Sequence, residues 1–259
     1  MWSHERRSKI LERLSRDGKV TTQDLAAELS VSSETIRRDF LHLEEQGNLR
    51  RVHGGAVLTD RSIPPEPAFA DRLKTHETAK IAIGRMAARL IPAGSTLFVD
   101  AGTTTLAFAR ELRFHEDLRI ITNSIEIASM VADSRNIEAL LLGGKPHVEV
   151  PATYGELTLS EIDRFLADFA VFSPVAYHPV RGAMNYALHE AEVARKMLRC
   201  SKSCLVLCHA QKVGAESRVG VCRPDEINDL VTDIDTDPTL SLPHGKVHFA
   251  PMLAHDAVG

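Results

Sequence analysis

Short hydroxyl residues and arginines share one face of a segment whose apolar residues have helical spacing. Ile36, Phe40 and Leu43 recur at i, i+4 and i+7, a spacing that buries one face of a helix. The residues left facing away from the core are Ser33, Thr35, Arg37 and Arg38. Arginine can bond bidentately to guanine in the major groove, and Ser and Thr reach bases or phosphates. The segment therefore predicts a DNA-recognition helix.

The residues around this helix complete a DNA-binding motif. Ser32 stands where an N-cap would stand, and Gly47 stands where the helix would have to end. Two more helices are predicted before it, one over 5–16 and one capped by Thr21. A basic hairpin follows, and the candidate DNA contacts are therefore Thr21, Ser32, Ser33, Thr35, Arg37, Arg38, Arg50, Arg51, His53 and Gly54. Residues 1–58 thus predict a winged helix-turn-helix domain. The alternative is a three-helix bundle whose arginines are only solvated.

Residues 1–58 resemble the DNA-binding domain of the DeoR family of bacterial transcriptional regulators. The resemblance is carried by Val31-Ser32, Thr35-Ile36-Arg37-Arg38-Asp39-Phe40, Leu43, Gly47 and Arg51-Val52-His53-Gly54-Gly55-Ala56. The family usually has Leu where this chain has Phe40, a conservative exchange in a core position. The resemblance implies a transcriptional regulator that binds operator DNA.

Composition and length bound the remaining possibilities. A chain of 259 residues with 44% hydrophobic content can bury either one large core or one moderate core besides a small module. Its apolar runs fall short of the ~18 residues of a membrane span, and its charged N-terminus shows no secretory signal. The four cysteines lie in one late region, at Cys200, Cys204, Cys208 and Cys222. We therefore expect a cytoplasmic protein that does not enter a membrane.

The charge of the DNA-binding module predicts an oligomer. Residues 1–60 contain ten Lys or Arg and ten Asp or Glu, so the net charge of −4 belongs to the remaining chain. Phosphate contacts supply most of the salt-dependent affinity for DNA, and one neutral module would therefore bind weakly. A homodimer or a higher homo-oligomer, which presents two such faces, would compensate.

A second domain of alternating strand and helix patterns follows a proline-rich linker. Three prolines at positions 64, 65 and 67 block a helix, and we predict a linker over 59–74, an α/β domain over 75–240 and a tail over 241–259. The predicted strands are 95–99, 118–121, 137–142, 169–172, 203–207 and 230–233, and the predicted helices are 76–90, 104–112, 124–131 and 189–198. This alternation predicts a Rossmann-like, mostly parallel sheet with helices on both faces.

Small, hydroxylated or glycine residues follow three consecutive strands of the predicted sheet, at 100–105, 122–124 and 143–145. Ligands bind outside the carboxyl ends of strands in such sheets. Backbone N–H groups at turns and helix N-termini bind anions. The three turns therefore predict an anion site best suited to phosphate. Ordinary strand-to-helix turns, which favour the same residues, are the alternative.

These turns also resemble, in order and spacing, the sensor domain of the DeoR family, which is similar in fold to ribose-5-phosphate isomerase and typically senses phosphorylated sugars. The resemblance implies effector contacts from Asp100, Gly102, Thr103, Thr104, Asn123, Ser124, Gly143, Gly144 and Lys212. It implies a repressor of a sugar or polyol catabolic operon that a phosphorylated sugar metabolite releases. His209 stands where the family usually has Asp, which implies an effector different from the common ones.

The sequence offers little for catalysis or metal binding. Isomerisation of a sugar phosphate needs a carboxylate base and a positive group, and only Asp100 and Lys212 are candidates. No acidic pair follows the predicted strand at 169–172. A regulator without enzymatic activity is expected, and a sugar-phosphate isomerase fused to a DNA-binding module is the alternative. The cysteines lack a C-x-x-C pair, so neither a metal nor a cofactor is expected.

Overall fold

The computed structural model describes residues 3–45, 49–52, 54–57, 66–147 and 149–251. The chain divides into two units, residues 1–65 and 66–259. Gly47, His53 and the linker residues 59–65 lie outside the described residues, so the predictions made for them stay predictions.

The first unit consists of short helices and a small sheet. Its elements are α1 (Ser3–Asp17), β1 (Lys19–Thr21), α2 (Thr22–Glu28), α3 (Ser33–Glu45), β2 (Arg50–Val52) and β3 (Gly55–Val57). The three strands form an antiparallel sheet in the order β1-β3-β2, so the hairpin β2–β3 pairs with a strand that precedes α2. The predicted winged helix-turn-helix is confirmed, and β1 is an additional strand.

The core of the first unit lies between α1, α2 and α3. Ile36, Phe40 and Leu43 of α3 are all buried, and they pack in one cluster with Ile10 and Leu14 of α1. The helical spacing of apolar residues therefore fixes which face of α3 is inward and which is outward.

The second unit is an α/β domain. Its helices are α4 (Phe69–Lys74), α5 (Glu77–Ala88), α6 (Thr103–Leu112), α7 (Ile125–Val131), α8 (Glu156–Ile162) and α9 (Leu188–Arg199). Its strands are β4 (Thr96–Val99), β5 (Leu118–Thr122), β6 (Ile137–Leu141), β7 (Lys145–Pro146), β8 (Thr153–Tyr154), β9 (Ala167–Phe172), β10 (Ala176–His178), β11 (Gly182–Asn185), β12 (Ser201–Leu207), β13 (Val219–Cys222), β14 (Asp229–Asp233) and β15 (Lys246–Ala250).

Seven of these strands form one parallel sheet in the order β15-β14-β12-β9-β4-β5-β6. The chain proceeds from β4 through β5 to β6 on one side, and then continues from β9 to β15 on the other side. The order reverses between β4 and β9, and a crevice at such a reversal is where ligands bind in open α/β sheets. The predicted parallel α/β sheet is confirmed.

Two segments differ from the sequence prediction. Part of the predicted linker over 59–74 is the helix α4, in which the buried Phe69 packs against the core of the α/β domain. Part of the predicted tail over 241–259 is β15, which pairs in parallel with β14 along five residues. Both segments are short and were missed because tertiary packing, rather than a long apolar run, holds them in place.

A smaller antiparallel sheet, β10-β11-β13, was also not predicted. Tyr177 of β10 is fully buried and packs with Phe172, which ends β9. The small sheet thereby holds the segment after β9 and places β11 beside the crevice.

Candidate functional site

The recognition helix α3 begins with the cap that the sequence predicts. Ser32 Oγ accepts a hydrogen bond from the Thr35 backbone N–H at 3.1 Å and lies 2.9 Å from Thr35 Oγ1. Arg37 and Arg38 point into solvent, with 68% and 81% of their side chains exposed. A capped helix that carries two exposed guanidinium groups on its first turns has the geometry of a major-groove reader.

Four of the predicted DNA contacts line one groove of the first unit. These residues are Thr21, Ser33, Arg37 and Gly54, which come from the start of α2, from α3 and from the β2–β3 turn. Thr21 also caps α2, since its Oγ1 accepts from the Asp24 N–H at 3.1 Å. Arg38 and Arg50 are exposed but do not line this groove.

Arg51 holds the hairpin against the recognition helix. Its Nε donates to Glu44 Oε2 of α3 at 2.5 Å, and its backbone N–H donates to Glu44 Oε1 at 2.8 Å. The same carboxylate therefore binds the side chain and the main chain of β2. Although the sequence predicts Arg51 as a DNA contact, its observed partner lies within the protein.

An ion pair between α1 and α3 was not foreseen from the sequence. Arg6 Nε donates to Asp39 Oδ2 at 2.5 Å and Arg6 Nη2 donates to Oδ1 at 3.2 Å, with only 12% and 8% of the two side chains exposed. The pair is bidentate, and the neighbouring Asp39 raises the pKa of Arg6. Asp39 therefore links α3 to α1 and does not lie on the outward face of α3.

Replacing Asp39 by Ala is expected to destabilise the first unit. The substitution leaves the buried Arg6 guanidinium without its carboxylate, which costs roughly 1–3 kcal/mol. Urea unfolding of the full chain, followed by circular dichroism, measures the effect, with Glu12→Ala on the exposed face of α1 as the control. Equal unfolding midpoints for the two variants would show that the ion pair contributes nothing.

The α/β domain carries a polar pocket at the reversal of the sheet. The empty space between its lining atoms is about 430 Å³, a figure that includes space open to solvent. Strand ends contribute Asp100, Asn123 and Ser173, which follow β4, β5 and β9. Gly102 and Thr103 at the start of α6, and Lys212 after β12, complete the predicted part of the lining.

Unpartnered polar atoms meet in this pocket. Asp100 Oδ1, Asn123 Oδ1, Ser173 Oγ and Arg72 Nε are all buried and have no hydrogen-bond partner within the part of the chain that the structure describes. The Asp100 carboxyl and the Ser173 hydroxyl can accept or donate, the Asn123 oxygen accepts, and Arg72 Nε donates. Because buried polar groups are normally paired, four such atoms around one cavity point to a polar ligand.

Cationic groups approach the pocket from two sides. Arg72 Nη1 donates to Glu66 Oε1 at 2.6 Å, and Lys212 Nζ donates to the Pro174 carbonyl at 2.6 Å. Lys80 Nζ donates to the Arg72 carbonyl and thereby helps to position Arg72. Burial, together with the positive charge of Lys212 and Arg72, lowers the pKa of Lys80 to about 8. The charges of Lys80, Lys212 and Arg72 thus disfavour one another, and an anion would relieve this.

The start of α6 adds backbone donors. Gly102 is its N-cap residue and supplies no side-chain cap, so the first N–H groups of the helix lack the usual side-chain acceptor. A Cβ at Gly102 would lie 3.0 Å from Thr105 Oγ1, which itself donates to the carbonyls of Asp100 and Gly102. Gly102 therefore keeps the approach to the helix N-terminus open.

Four predicted effector contacts lie elsewhere. The side chain of Thr104 is buried, and Ser124 Oγ caps α7 by accepting from the Ile127 N–H at 3.2 Å. The Gly143 N–H donates to Glu161 Oε2 at 2.5 Å and its carbonyl accepts from Thr158 Oγ1, while Gly144 adjoins the Tyr154 backbone. None of the four lines the pocket. The turn after β6 belongs to the outermost strand of the sheet, two strands from the reversal.

Several lining residues were missed by sequence reasoning. They are Glu66, Arg72, Ala101, Tyr154, Ser173, Val175, Asn185, Glu190 and Val193. Ala101, Ser173 and Val175 follow the strands β4 and β9, so the strand-end rule could have found them. The others come from α4 and the residues just before it, and from β8, β11 and α9, whose approach depends on tertiary packing.

Burial raises the pKa of two carboxyl groups that line the pocket. Burial raises the pKa of Asp100 from 3.8 to about 8, against hydrogen bonding from the Ser173 backbone, which lowers it. Burial also raises the pKa of Glu190 from 4.5 to about 7, with the negative charge of Glu66 as a further cause. Both groups can therefore donate as well as accept hydrogen bonds near neutral pH.

These shifts predict a pH dependence of stability. Each carboxyl binds its proton more tightly in the folded chain, so the stabilisation is present at low pH and is lost as the pH rises from about 4 to about 8. We expect the melting temperature of the Asp100→Asn variant to rise relative to that of the unmodified protein between pH 5 and pH 8. The exposed Asp133→Asn is the control. A difference that stays constant across this range would contradict the assignment.

His209 lies behind the pocket rather than in its lining. Its ring is buried and stacks on His76 with 4.7 Å between ring centroids. Burial and the neighbouring Lys212 and His76 lower the pKa of His209 to about 3. The exchange of an acidic residue for a neutral imidazole therefore changes the charge beside Lys212 and Lys80.

The two units together define a class of protein. A helix-turn-helix unit with an exposed recognition helix accompanies an α/β domain with a polar pocket at the reversal of its sheet, the organisation of a DNA-binding protein with a ligand-binding domain. The chain belongs to the DeoR family of transcriptional regulators. The DeoR-like helix-turn-helix domain matches residues 6–62, and the DeoR C terminal sensor domain matches residues 75–234.

Curated relatives of this family match most of the chain. The glycerol-3-phosphate regulon repressor of Escherichia coli K12 is 32% identical over 88% of this chain and 90% of its own length. The HTH-type transcriptional repressor GlcR of Bacillus subtilis 168 is 35% identical over 90% of this chain and 89% of its own length. A solved ribose 5 phosphate isomerase A from Neisseria gonorrhoeae is 12% identical over 54% of each chain, with a TM-score of 0.40. That distant likeness carries no argument about activity.

Two further observations concern the described residues alone. None of their helices is long and apolar enough to cross a membrane. No three of their His, Cys, Asp or Glu side chains are grouped so that they could hold a metal ion.

Proposed function

We propose that this protein represses an operon for sugar or polyol catabolism, and that a phosphorylated sugar metabolite bound in the α/β pocket releases it from operator DNA. Family membership supports DNA binding and repression, since the relatives matched along most of the chain are repressors. The observation that supports a bound ligand is that four unpartnered buried polar atoms line one pocket: Asp100 Oδ1, Asn123 Oδ1, Ser173 Oγ and Arg72 Nε.

The phosphate would bind where donors converge. The first N–H groups of α6, which begins at Thr103, have no side-chain cap, and the positive end of a helix dipole favours an anion. Lys212 and Arg72 line the same pocket and supply charge. A phosphate that paired with Arg72 would compete with Glu66, which now accepts from its guanidinium.

The hydroxyl groups of the ligand would bind at the acidic side. Asp100, Asn123 and Glu190 line the pocket and offer carboxyl and amide groups that both accept and donate at neutral pH. A ligand with one phosphate and several hydroxyls matches both sides of the pocket. An unphosphorylated sugar would leave the cationic side unsatisfied.

Two residues of the pocket lining, Glu66 and Arg72, follow residues 59–65 of the predicted linker in the sequence, and Glu66 is the first residue of the second unit. A ligand changes DNA affinity only if it binds one state of the protein more tightly than another. If the ligand displaced Glu66 from Arg72, the ligand-bound and ligand-free states would differ at the first residues of the sensor domain.

We further propose that the protein acts in the cytoplasm as a homodimer or larger homo-oligomer without catalysing a reaction. A module with ten basic and ten acidic residues in its first 60 gains affinity when two copies bind two half-sites. The absence of turnover follows the function of the repressor relatives.

Isothermal titration calorimetry of the full chain tests the ligand proposal. The panel pairs each phosphorylated compound with its unphosphorylated form: glycerol 3-phosphate with glycerol, and hexose and pentose phosphates with the free sugars. We expect saturable binding of a phosphorylated member and no binding of its counterpart. Tighter binding of the free sugar, or consumption of the ligand during the titration, would contradict the proposal.

A further inference from the structure

Glu34 lies at the centre of the outward face of α3. The buried residues of this helix are Ile36, Asp39, Phe40 and Leu43. At 100° per residue, the positions opposite to them are 34, 38 and 41. Glu34 is 62% exposed and Arg38 81% exposed, whereas Ser33 and Thr35, at the flanks of this face, are half-buried. The surface that meets DNA in a recognition helix therefore has a carboxylate at its middle.

This carboxylate lies between the two arginines. Its Oε2 is 3.7 Å from Arg37 Nη1 and its Oε1 is 3.6 Å from Arg38 Nε. Exposed ion pairs at these distances stabilise a folded chain very little. Near the DNA backbone the same group would weaken binding, because phosphates repel it. A carboxylate at this position therefore needs a hydrogen-bond donor on the DNA.

Base edges supply such a partner. A carboxylate only accepts hydrogen bonds, and the donors in the major groove are the amino groups of cytosine N4 and adenine N6. Adenine also presents the acceptor N7 beside its amino group, which repels a carboxylate, whereas cytosine presents the donor alone. Guanine presents two acceptors, which an adjacent arginine binds bidentately. Glu34 with its two arginines therefore matches a cytosine next to a guanine.

We propose that Glu34 is a specificity-determining residue that accepts a hydrogen bond from the N4 amino group of one cytosine in each operator half-site. Arg37 or Arg38 binds the neighbouring guanine. The ion pair with Glu34 holds the guanidinium of that arginine over the edge of the guanine. The inference rests on DNA binding by α3 and is independent of the ligand.

Selection from a randomised duplex library, followed by sequencing, tests this inference with the full-length protein and three variants. The unmodified protein is expected to prefer cytosine at one half-site position by roughly tenfold or more. Glu34→Ala should lose the preference at that position alone. Glu34→Gln should select adenine there, because a side-chain amide bonds bidentately to adenine N6 and N7. Glu12→Gln on α1 makes the same charge change at another exposed position and should select the same site as the unmodified protein.

The outcomes separate the inference from the wider function. If both Glu34 variants select the same base as the unmodified protein at every position, Glu34 acts only on the helix dipole and the inference is wrong. If the unmodified protein itself enriches no sequence, DNA recognition by α3 fails as a whole. A base change confined to one half-site position supports the inference.

Discussion

Replacing Arg37 and Arg38 together by alanine is expected to lower operator affinity by at least about 100-fold. Both guanidinium groups extend into solvent from the capped first turns of α3. Each bidentate contact with guanine contributes about 1–3 kcal/mol of discrimination, and each neutralised phosphate adds a salt-dependent term. Because both side chains are exposed, their loss should leave the folded chain intact.

Fluorescence anisotropy with the operator duplex at fixed salt measures this loss. The matched control is Arg110→Ala, which removes an exposed arginine from α6 of the sensor domain and should leave DNA affinity unchanged. Circular dichroism confirms that the double variant is folded. Affinity within threefold of the unmodified protein would show that α3 is not the recognition helix.

The variant Thr103→Glu is expected to bind operator DNA with unchanged affinity and not to be released by the phosphorylated effector. Thr103 begins α6 and lines the pocket, with 8% of its surface exposed. A carboxylate there would accept from the uncapped N–H groups of the helix and would repel a phosphate. Effector affinity should fall at least 100-fold, because the new charge occupies the anion position in every molecule.

Thr103→Ser is the matched control, since it keeps the hydroxyl and the backbone of the helix. Titration of the effector against the protein–operator complex compares the two variants. Release of Thr103→Glu at the same effector concentration as the control would place the phosphate elsewhere in the pocket.

Local signals in the sequence were sufficient for the DNA-binding unit. The spacing of Ile36, Phe40 and Leu43 defines the buried face of α3, and Ser32 defines its first turn. Both are short-range effects that do not depend on the rest of the chain. Glu44 and Asp39 escaped notice because their partners Arg51 and Arg6 lie 7 and 33 residues away.

The pocket was predictable only where it follows strand ends. Asp100 and Asn123 come directly after β4 and β5. These two strands are consecutive in the chain and are also adjacent in the sheet. Glu190 and Arg72 come from helices, and nothing local in the sequence places them beside those strands. Gly143 follows a strand as well, but the position of β6 at the edge of the sheet depends on the strand order, which local patterns do not encode.

The measurement that tests the central account most directly is an anisotropy titration against the DNA upstream of the protein's own gene. It is run at fixed salt, alone and with each phosphorylated and unphosphorylated compound of the panel. The account predicts tight, sequence-specific binding that one phosphorylated sugar releases and its unphosphorylated form does not. Tight binding that every compound leaves unchanged would contradict the phosphorylated-sugar sensor, and an absence of specific binding would contradict the account as a whole.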